Sequence, residues 1–240
     1  MPRLDVLVTK NGLAESRERA QALILAGKVR VAGETVRSPS RTVSEDAPIA
    51  VDSAPSYASR GALKLAPALE RFGVHPDGRV CADIGASTGG FTDVLLRRDA
   101  ARVYAIDVGR GLLHWRLRQD PRVVVIERVN ARDLDPFPEP VSLVVIDVSF
   151  ISLDKVLPAI RRAAPGAEVV ALFKPQFEVG RSEVGKGGIV RNQAALESAL
   201  SRFREWCGAN GYAVIGEVAS EVAGAEGNRE IFVHLQPEQP

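Results

Sequence analysis

Asp83 and Asp107 flank a glycine-rich turn in a way that suits a bound nucleoside. Val80 to Ile84 is an apolar run of strand length, and Gly85, Gly89 and Gly90 then make a tight turn. Phe91 to Arg98 follows with helical spacing at Phe91, Val94, Leu95 and Arg98. Strand, glycine turn and helix hold nucleotide-like ligands at the carboxyl edge of a parallel sheet. A second apolar run, Val103 to Ile106, ends in Asp107, 22 residues after Gly85. At that distance an acid meets the two hydroxyls of a ribose. Ser87 stands where a dinucleotide fingerprint has the glycine that lets backbone approach a pyrophosphate. Asp83 would repel a pyrophosphate and favour an amine or a cation. The expected cofactor is therefore S-adenosylmethionine rather than NAD. Asp83, Gly85, Ser87, Gly89, Gly90, Phe91, Asp107 and Val108 are its candidate contacts, with Asn130 and Ala131, after the third strand, near the adenine.

Two more ionisable residues end apolar runs. Asp147 follows Leu143 to Ile146, and Lys174 follows Val169 to Phe173, with Pro175 forbidding continuation of that strand. One reading is an ion pair that supports the sheet. Beside a methyl donor, a second reading is proton removal from an attacking hydroxyl. A free lysine titrates near about 10.4, so it serves as a base only when burial or another cation disfavours its charge. Lys64, on the helix entering this region, and Glu230, at the start of the last strand, are candidates for a second lysine and a further carboxylate. Spacing alone does not bring them to the site.

The elements that must position these residues read as two parts. Residues 4 to 9 suit either strand or helix, and Ser16 to Ala26 reads as a capped helix ended by Gly27. Val29 to Val36 alternates around Gly33 as a hairpin, and Ile49 to Val51 is a short strand. A turn-rich linker covers residues 53–60, separating a small α+β domain (residues 1–52) from an α/β domain (residues 61–240). Strands are expected at Val80–Ile84, Val103–Ile106, Val123–Ile126, Leu143–Ile146 and Val169–Phe173. Helices are expected at Gly61–Phe72, Phe91–Arg98, Leu112–Gln119, Leu153–Ala164 and Gln193–Asn210. Tyr212–Val218 and Glu230–Leu235 are joined by a loop too short for a crossover helix, so they form an antiparallel pair. Five parallel strands and an antiparallel hairpin make a Rossmann-like sheet of the kind methyltransferases use.

Bulk properties narrow the function classes. The 240 residues are 45% hydrophobic with a net charge of +1, so no global field announces nucleic acid. The first 44 residues differ, with eight positive charges against four negative. Cys81 and Cys207 read as reduced thiols, and His75, His114 and His234 lack metal-ligand spacing; no metal is expected. No apolar run reaches the roughly 18 residues of a membrane helix, which makes a cytoplasmic protein without a membrane partner the expectation.

Several motifs together resemble the TlyA family. They are Ser59-Arg-Gly-Ala-Leu-Lys64, Asp83-Ile-Gly-Ala-Ser-Thr-Gly-Gly-Phe-Thr92, Ile146-Asp-Val-Ser-Phe-Ile-Ser-Leu153, Lys174-Pro-Gln-Phe-Glu178, Val184-Gly-Lys-Gly-Gly-Ile-Val190 and Gly227-Asn-Arg-Glu230. These proteins are S4-domain ribosomal RNA methyltransferases with an FtsJ-like catalytic domain, also labelled haemolysin A. The resemblance runs from about Arg3 to Leu235. It implies S-adenosylmethionine-dependent methylation of a ribose 2′-hydroxyl, of cytidine, in the RNA of ribosomal subunits. It also implies a Lys-Asp-Lys-Glu tetrad at Lys64, Asp147, Lys174 and Glu230. In that scheme Lys174 is the base, Asp147 and Lys64 place it, and Glu230 helps hold the ribose.

The N-terminal part resembles an S4 RNA-binding domain through Arg3-Leu-Asp5, Gly12-Leu-Ala-Glu-Ser-Arg17, Ala20, Ile24, Gly27-Lys-Val29 and Val31-Ala-Gly33, although many S4 domains have Asn where Ala32 stands. Arg3, Arg17, Arg19, Lys28 and Arg30 are its candidate phosphate contacts, joined by Arg60 and Lys186 in the second domain. Gly180 to Gly188 reads either as a mobile basic loop or as plain surface. Trp115 and Phe150 suit either base stacking or core packing. No stable protein partner is evident. Three rival readings are a non-catalytic ribosome-assembly factor, a membrane-active cytolysin and a small-molecule methyltransferase. The first lacks support because all four tetrad types are present. The second lacks a membrane segment, and the third leaves the S4-like domain without a use.

Overall fold

In the computed structural model, residues 1–51, 57–224 and 227–238 are described. The chain divides into two compact units, Met1–Ser56 and Tyr57–Pro240. Residues 53–56 of the expected linker lie outside the described residues, and Tyr57 to Arg60 belong to the second unit.

The first unit packs two helices on a small antiparallel sheet. Residues 4–9, open between strand and helix in the sequence, lie in helix α1 (Leu4–Lys10), because Leu4, Leu7 and Val8 share one helical face and are buried. Helix α2 (Arg17–Leu25) starts at Ser16, whose hydroxyl accepts from Arg19 N–H at 3.1 Å. Strands β1 (Val29–Val31), β2 (Glu34–Val36) and β3 (Ile49–Val51) are ordered β2-β1-β3. Val29, Val31 and Val36 close a core with Leu4, Val8, Ala20 and Ile24.

The second unit is a seven-stranded sheet between two helical layers. After helix α3 (Ala62–Phe72) come β4 (Val80–Ile84), α4 (Gly90–Arg97), β5 (Arg102–Asp107), α5 (Trp115–Arg118), β6 (Val123–Glu127), β7 (Leu143–Ile146), α6 (Leu153–Ala163) and β8 (Glu168–Phe173). A short helix α7 (Pro175–Glu178), α8 (Gln193–Ala209) and strands β9 (Tyr212–Ala219) and β10 (Ile231–Pro237) complete it. The order is β6-β5-β4-β7-β8-β10-β9. The first five strands are mutually parallel, and β10 runs antiparallel between β8 and β9. Alternation along the strands divides the core. Ala82, Ile84, Val144, Ile146, Ala171 and Phe173 meet α6 and α8, whereas Cys81, Val103, Ala105, Val145 and Leu172 meet α3 and α4.

One expected helix is shorter than its apolar spacing suggested. Leu112 and Leu113 precede α5, because the His114 side chain turns to accept from Arg116 N–H at 3.2 Å and starts the helix at Trp115.

Candidate active site

The crossing point of the sheet lies between β4 and β7, and the glycine turn after β4 is held there by backbone. Gly85 has φ 86°, and a Cβ on it would lie 2.5 Å from the Asp147 carbonyl oxygen. Asp147 N–H donates to Ile84 O at 2.9 Å, which extends the β4–β7 pairing past the end of β7 and brings that carbonyl against Gly85. Next along the turn, Ser87 N–H donates to Asp107 Oδ2 at 2.8 Å, and Gly109 N–H donates to Asp107 Oδ1 at 2.7 Å. A single carboxylate thus organises the turns after β4 and β5.

A cavity of about 580 Å³ opens at these strand ends, within the usual size of small-molecule sites. Gly85, Ser87, Asp107, Val108, Asn130 and Ala131 line it, six of the ten residues expected to meet the cofactor. Asn130 is fixed as the cap of a short 3-10 turn, its Oδ1 accepting from Arg132 N–H at 3.1 Å. The tight backbone approach at Gly85, with the Asp107 carboxylate and the Asn130 amide on the same wall, is chemically compatible with a nucleoside ligand such as S-adenosylmethionine.

The other four expected contacts sit differently. Asp83 is fully buried on neither cavity wall, where its Oδ2 accepts from Thr92 N–H at 2.8 Å and Thr92 Oγ1–H at 2.6 Å at the start of α4. Burial pushes this carboxyl up to about 7 against the Thr92 hydrogen bonds, and its Oδ1 has no hydrogen-bond partner among the described residues. A Cβ at Gly89 would collide with Leu117 and Leu113, and one at Gly90 would collide with Ser59 Oγ. These two glycines therefore serve close packing of α4. Phe91 and Gly90 line a second, smaller cavity instead.

That second cavity, of about 260 Å³, holds Lys64 and Asp147 on its walls with Ser59, Arg60, Val222 and Ala223. Gly85, Ser87 and Asp147 border both cavities. Strand register supplies the juxtaposition that spacing could not. Ile231 pairs with Phe173, so Glu230 lies beside Lys174 at the strand ends. The four tetrad residues form two ion pairs. Lys64 Nζ donates to Glu230 Oε2 at 2.6 Å, with side chains 13% and 3% exposed. Lys174 Nζ lies 2.7 Å from Asp147 Oδ1, an ion contact without hydrogen-bond alignment, and donates to Ser149 Oγ at 3.0 Å. Lys174 and Glu230 stand behind the walls, 8% and 2% exposed. Ser149, on the wall of the larger cavity, had no role from sequence; its place two residues beyond Asp147 was the available signal.

Neither aromatic singled out in the sequence is core. Trp115 is 57% exposed. Phe150 is 89% exposed at φ 64°, an uncommon backbone for a bulky side chain, on the wall of the larger cavity with its ring 5.2 Å from that of Phe177. No cluster of metal-ligating side chains occurs among the described residues.

In the first unit, Arg3 and Arg17 converge on Asp5, which is fully buried. Arg3 Nε donates to Oδ1 at 3.1 Å, while Arg17 Nε and Gln21 Nε2 donate to Oδ2 at 3.1 and 2.7 Å. The Arg3 guanidinium, above all, holds this carboxyl well below the usual range. Arg19, Lys28 and Arg30 are exposed, as are Arg60 and Lys186 in the second unit, Lys186 within a 3-10 turn, Lys186–Gly188. No helix among the described residues is long and apolar enough to cross a membrane.

Comparison with known proteins bears on both units. The S4 domain model matches residues 2–49, and the FtsJ-like methyltransferase model matches residues 57–237. The 16S/23S rRNA (cytidine-2′-O)-methyltransferase TlyA of Mycobacterium tuberculosis is 49% identical over 98% of this chain and 89% of its own. Hemolysin A of Brachyspira hyodysenteriae is 42% identical over 97% of this chain and 99% of its own. A solved structure from Streptococcus thermophilus, described under the hemolysin name, superposes with a TM-score of 0.74 at 42% identity, over 99% of this chain and 88% of that one. A glycine turn closed on Asp147, a carboxylate at Asp107 and a sheet finished by an antiparallel hairpin thus have a common explanation: the chain belongs to the FtsJ-like methyltransferase family and carries an S4 domain at its N-terminus.

Proposed function

We propose that this protein methylates a ribose 2′-hydroxyl of ribosomal RNA, at cytidine, using S-adenosylmethionine. The observation that carries the reading is the meeting of two cavities at Asp147, one suited to a nucleoside cofactor and one walled by Lys64 and Arg60. The relatives named as rRNA cytidine-2′-O-methyltransferases support the substrate class.

When bound, S-adenosylmethionine supplies an electrophilic methyl carbon whose bond to sulfur breaks as the hydroxyl oxygen attacks. The chain's own groups handle the rest. Asp107 and Asn130 orient the nucleoside, and Gly85 lets it approach the strand ends. Lys174 Nζ, in its neutral amine form, takes the hydroxyl proton and becomes the ammonium that Asp147 and Ser149 hold in place. Lys64 and Glu230 together fix the far wall of the acceptor cavity. Phe150 offers an exposed ring face on which the target base can stack, and the S4 unit adds phosphate contacts.

The test is transfer of tritiated methyl from S-adenosylmethionine to unmodified small and large ribosomal subunits and to free RNA, with the product mapped by nuclease digestion. Label at a cytidine 2′-oxygen, lost in Lys174→Ala with cofactor affinity retained, is the expected result. Label on a base would overturn the reaction, and turnover by Lys174→Ala would remove that residue from the base role.

A further inference from the structure

Asn228 is a buried polar side chain, 2% exposed, in the turn that leads to Glu230, and the chemistry above gives it no part. Both ends of its amide reach main chain about forty residues away in sequence. Oδ1 accepts from Val190 N–H at 2.9 Å, and Nδ2 donates to Gly188 O at 2.8 Å. Its own carbonyl accepts from Gly224 N–H at 2.9 Å, and Glu230 O accepts from Ser220 N–H at 2.9 Å. Gly224 lies so close to the Glu230 carboxyl that a Cβ would stand 2.6 Å from Oε1. One turn therefore packs on Glu230 and, through Asn228, grips a second segment.

That second segment is itself shaped by backbone. Gly185 N–H donates to Ile189 O at 3.0 Å, and Gly187 and Gly188 have φ 78° and 77°. Exposed cations lie along it, with Arg181 before the turn, Lys186 in it and Arg191 after it; Arg229 is exposed beside Asn228. None of these four forms an ion pair among the described residues. Unpaired cations on a surface beside an acceptor cavity suit the phosphodiester backbone of RNA. An amide is the side chain that satisfies one N–H and one C=O at the same time; a carboxylate would face Gly188 O with no proton to offer.

We propose that Asn228 is a positioning residue that couples phosphate binding by the cationic turn to the placement of Glu230. The proposal rests on the methyl-transfer reading above. It makes the grip on RNA and the geometry of the acceptor cavity a single structural event, because the same residue holds one segment by its side chain and the other by its main chain. Removing the amide frees the turn and leaves its backbone groups without their partner.

The experiment is a double-mutant cycle on the full chain between Asn228→Ala and Lys186→Ala, read as KM for RNA, kcat and S-adenosylmethionine affinity. Asn228→Ala is expected to raise KM for RNA about tenfold and lower kcat, with cofactor affinity unchanged. Lys186→Ala is expected to raise KM severalfold alone and to add little in the Asn228→Ala background. Asn228→Asp, which keeps the Val190 bond, should fall between wild type and Ala and replaces Ala in the cycle if that variant misfolds. Additive effects, or wild-type kinetics in Asn228→Ala, would overturn the proposal alone. A wild-type protein that methylates no RNA would overturn the reading beneath it.

Discussion

Replacing Lys64 by Met isolates what the Lys64–Glu230 pair does for stability and for catalysis. The substitution nearly conserves volume but leaves the Glu230 carboxyl, 3% exposed, without its cation. Such a carboxyl takes up a proton rather than stay charged in a dry site. Neutralising an ordinary glutamate costs about 1.4 kcal/mol for each pH unit above about 4.3, so the upper limit is roughly 3.7 kcal/mol at about pH 7 and roughly 1 kcal/mol at about pH 5. Removing one partner of a buried pair commonly costs about 3–5 kcal/mol, which agrees with the higher figure. The loss in Lys64→Met should therefore shrink by more than half on acidification. A double variant, Lys64→Met with Glu230→Leu, no longer buries a lone charge and should recover to within about 1 kcal/mol of wild type. Methyl transfer should remain absent from it.

Trp115 and Trp206 are the two tryptophans of the chain and both lie in the second unit, so urea unfolding followed by their fluorescence reports that unit alone. Tritium transfer to ribosomal subunits reports activity on the same samples. A loss in Lys64→Met that is below about 1 kcal/mol and insensitive to pH would show that water reaches Glu230. Activity in the double variant would make the pair purely structural.

Asp107→Ala should weaken S-adenosylmethionine binding by about 1.5–3 kcal/mol in calorimetry. Asp107→Asn should do no better, since its amide nitrogen must face either Ser87 N–H or Gly109 N–H; an unchanged affinity in either would show that the ribose is held elsewhere. Glu178, half-buried where its Oε1 accepts from Leu153 N–H at 2.8 Å, has its carboxyl pushed up to about 7 by desolvation, from an ordinary 4.5. The folded value lies above the unfolded one, so its contribution is complete below pH 4.5 and is lost as pH rises through about 7. Glu178→Gln keeps the acceptor and should flatten the fall in unfolding free energy over that window by about 2–3 kcal/mol; an unchanged slope would assign the fall to other groups such as Asp83. Asp5→Asn should lower RNA affinity severalfold in filter binding, because Arg3 and Arg17 lose the carboxylate that aligns them. Simple charge counting gives the opposite sign, and a gain in affinity would sink the positioning argument.

Short continuous apolar runs and glycine punctuation made the second unit legible in the sequence, down to which strands end at the site. The pairing of Ile231 with Phe173 was not legible, because register across an antiparallel neighbour is set by packing of the whole sheet. Glu230 and Lys64 were therefore candidates that spacing could not bring to the site, and only the family resemblance supplied that step. Asp83 lies off the cavity wall for a physical reason. An acid before a glycine turn reads equally as a ligand contact or as a partner for helix N–H groups, and at this strand end the Thr92 main chain claims it. Phe150 was ambiguous because an aromatic side chain in a loop carries no period; its exposure and positive φ exist only in three dimensions.

The contact between Gly85 and the Asp147 carbonyl makes the two halves of the reaction geometrically dependent. Ala at position 85 would place a Cβ 2.5 Å from that carbonyl oxygen, at a φ that L side chains rarely adopt. The backbone after β7 would have to move, carrying Asp147 with it, and Lys174 Nζ is held 2.7 Å from the Asp147 side chain. A change on the cofactor side of the sheet is thereby transmitted to the amine proposed to receive the proton, without any residue in between changing type. Gly85→Ala should lower kcat as well as cofactor affinity, and saturating S-adenosylmethionine should not restore the rate. Full recovery at saturation would mean that the turn serves cofactor binding alone and that Asp147 is held by other contacts.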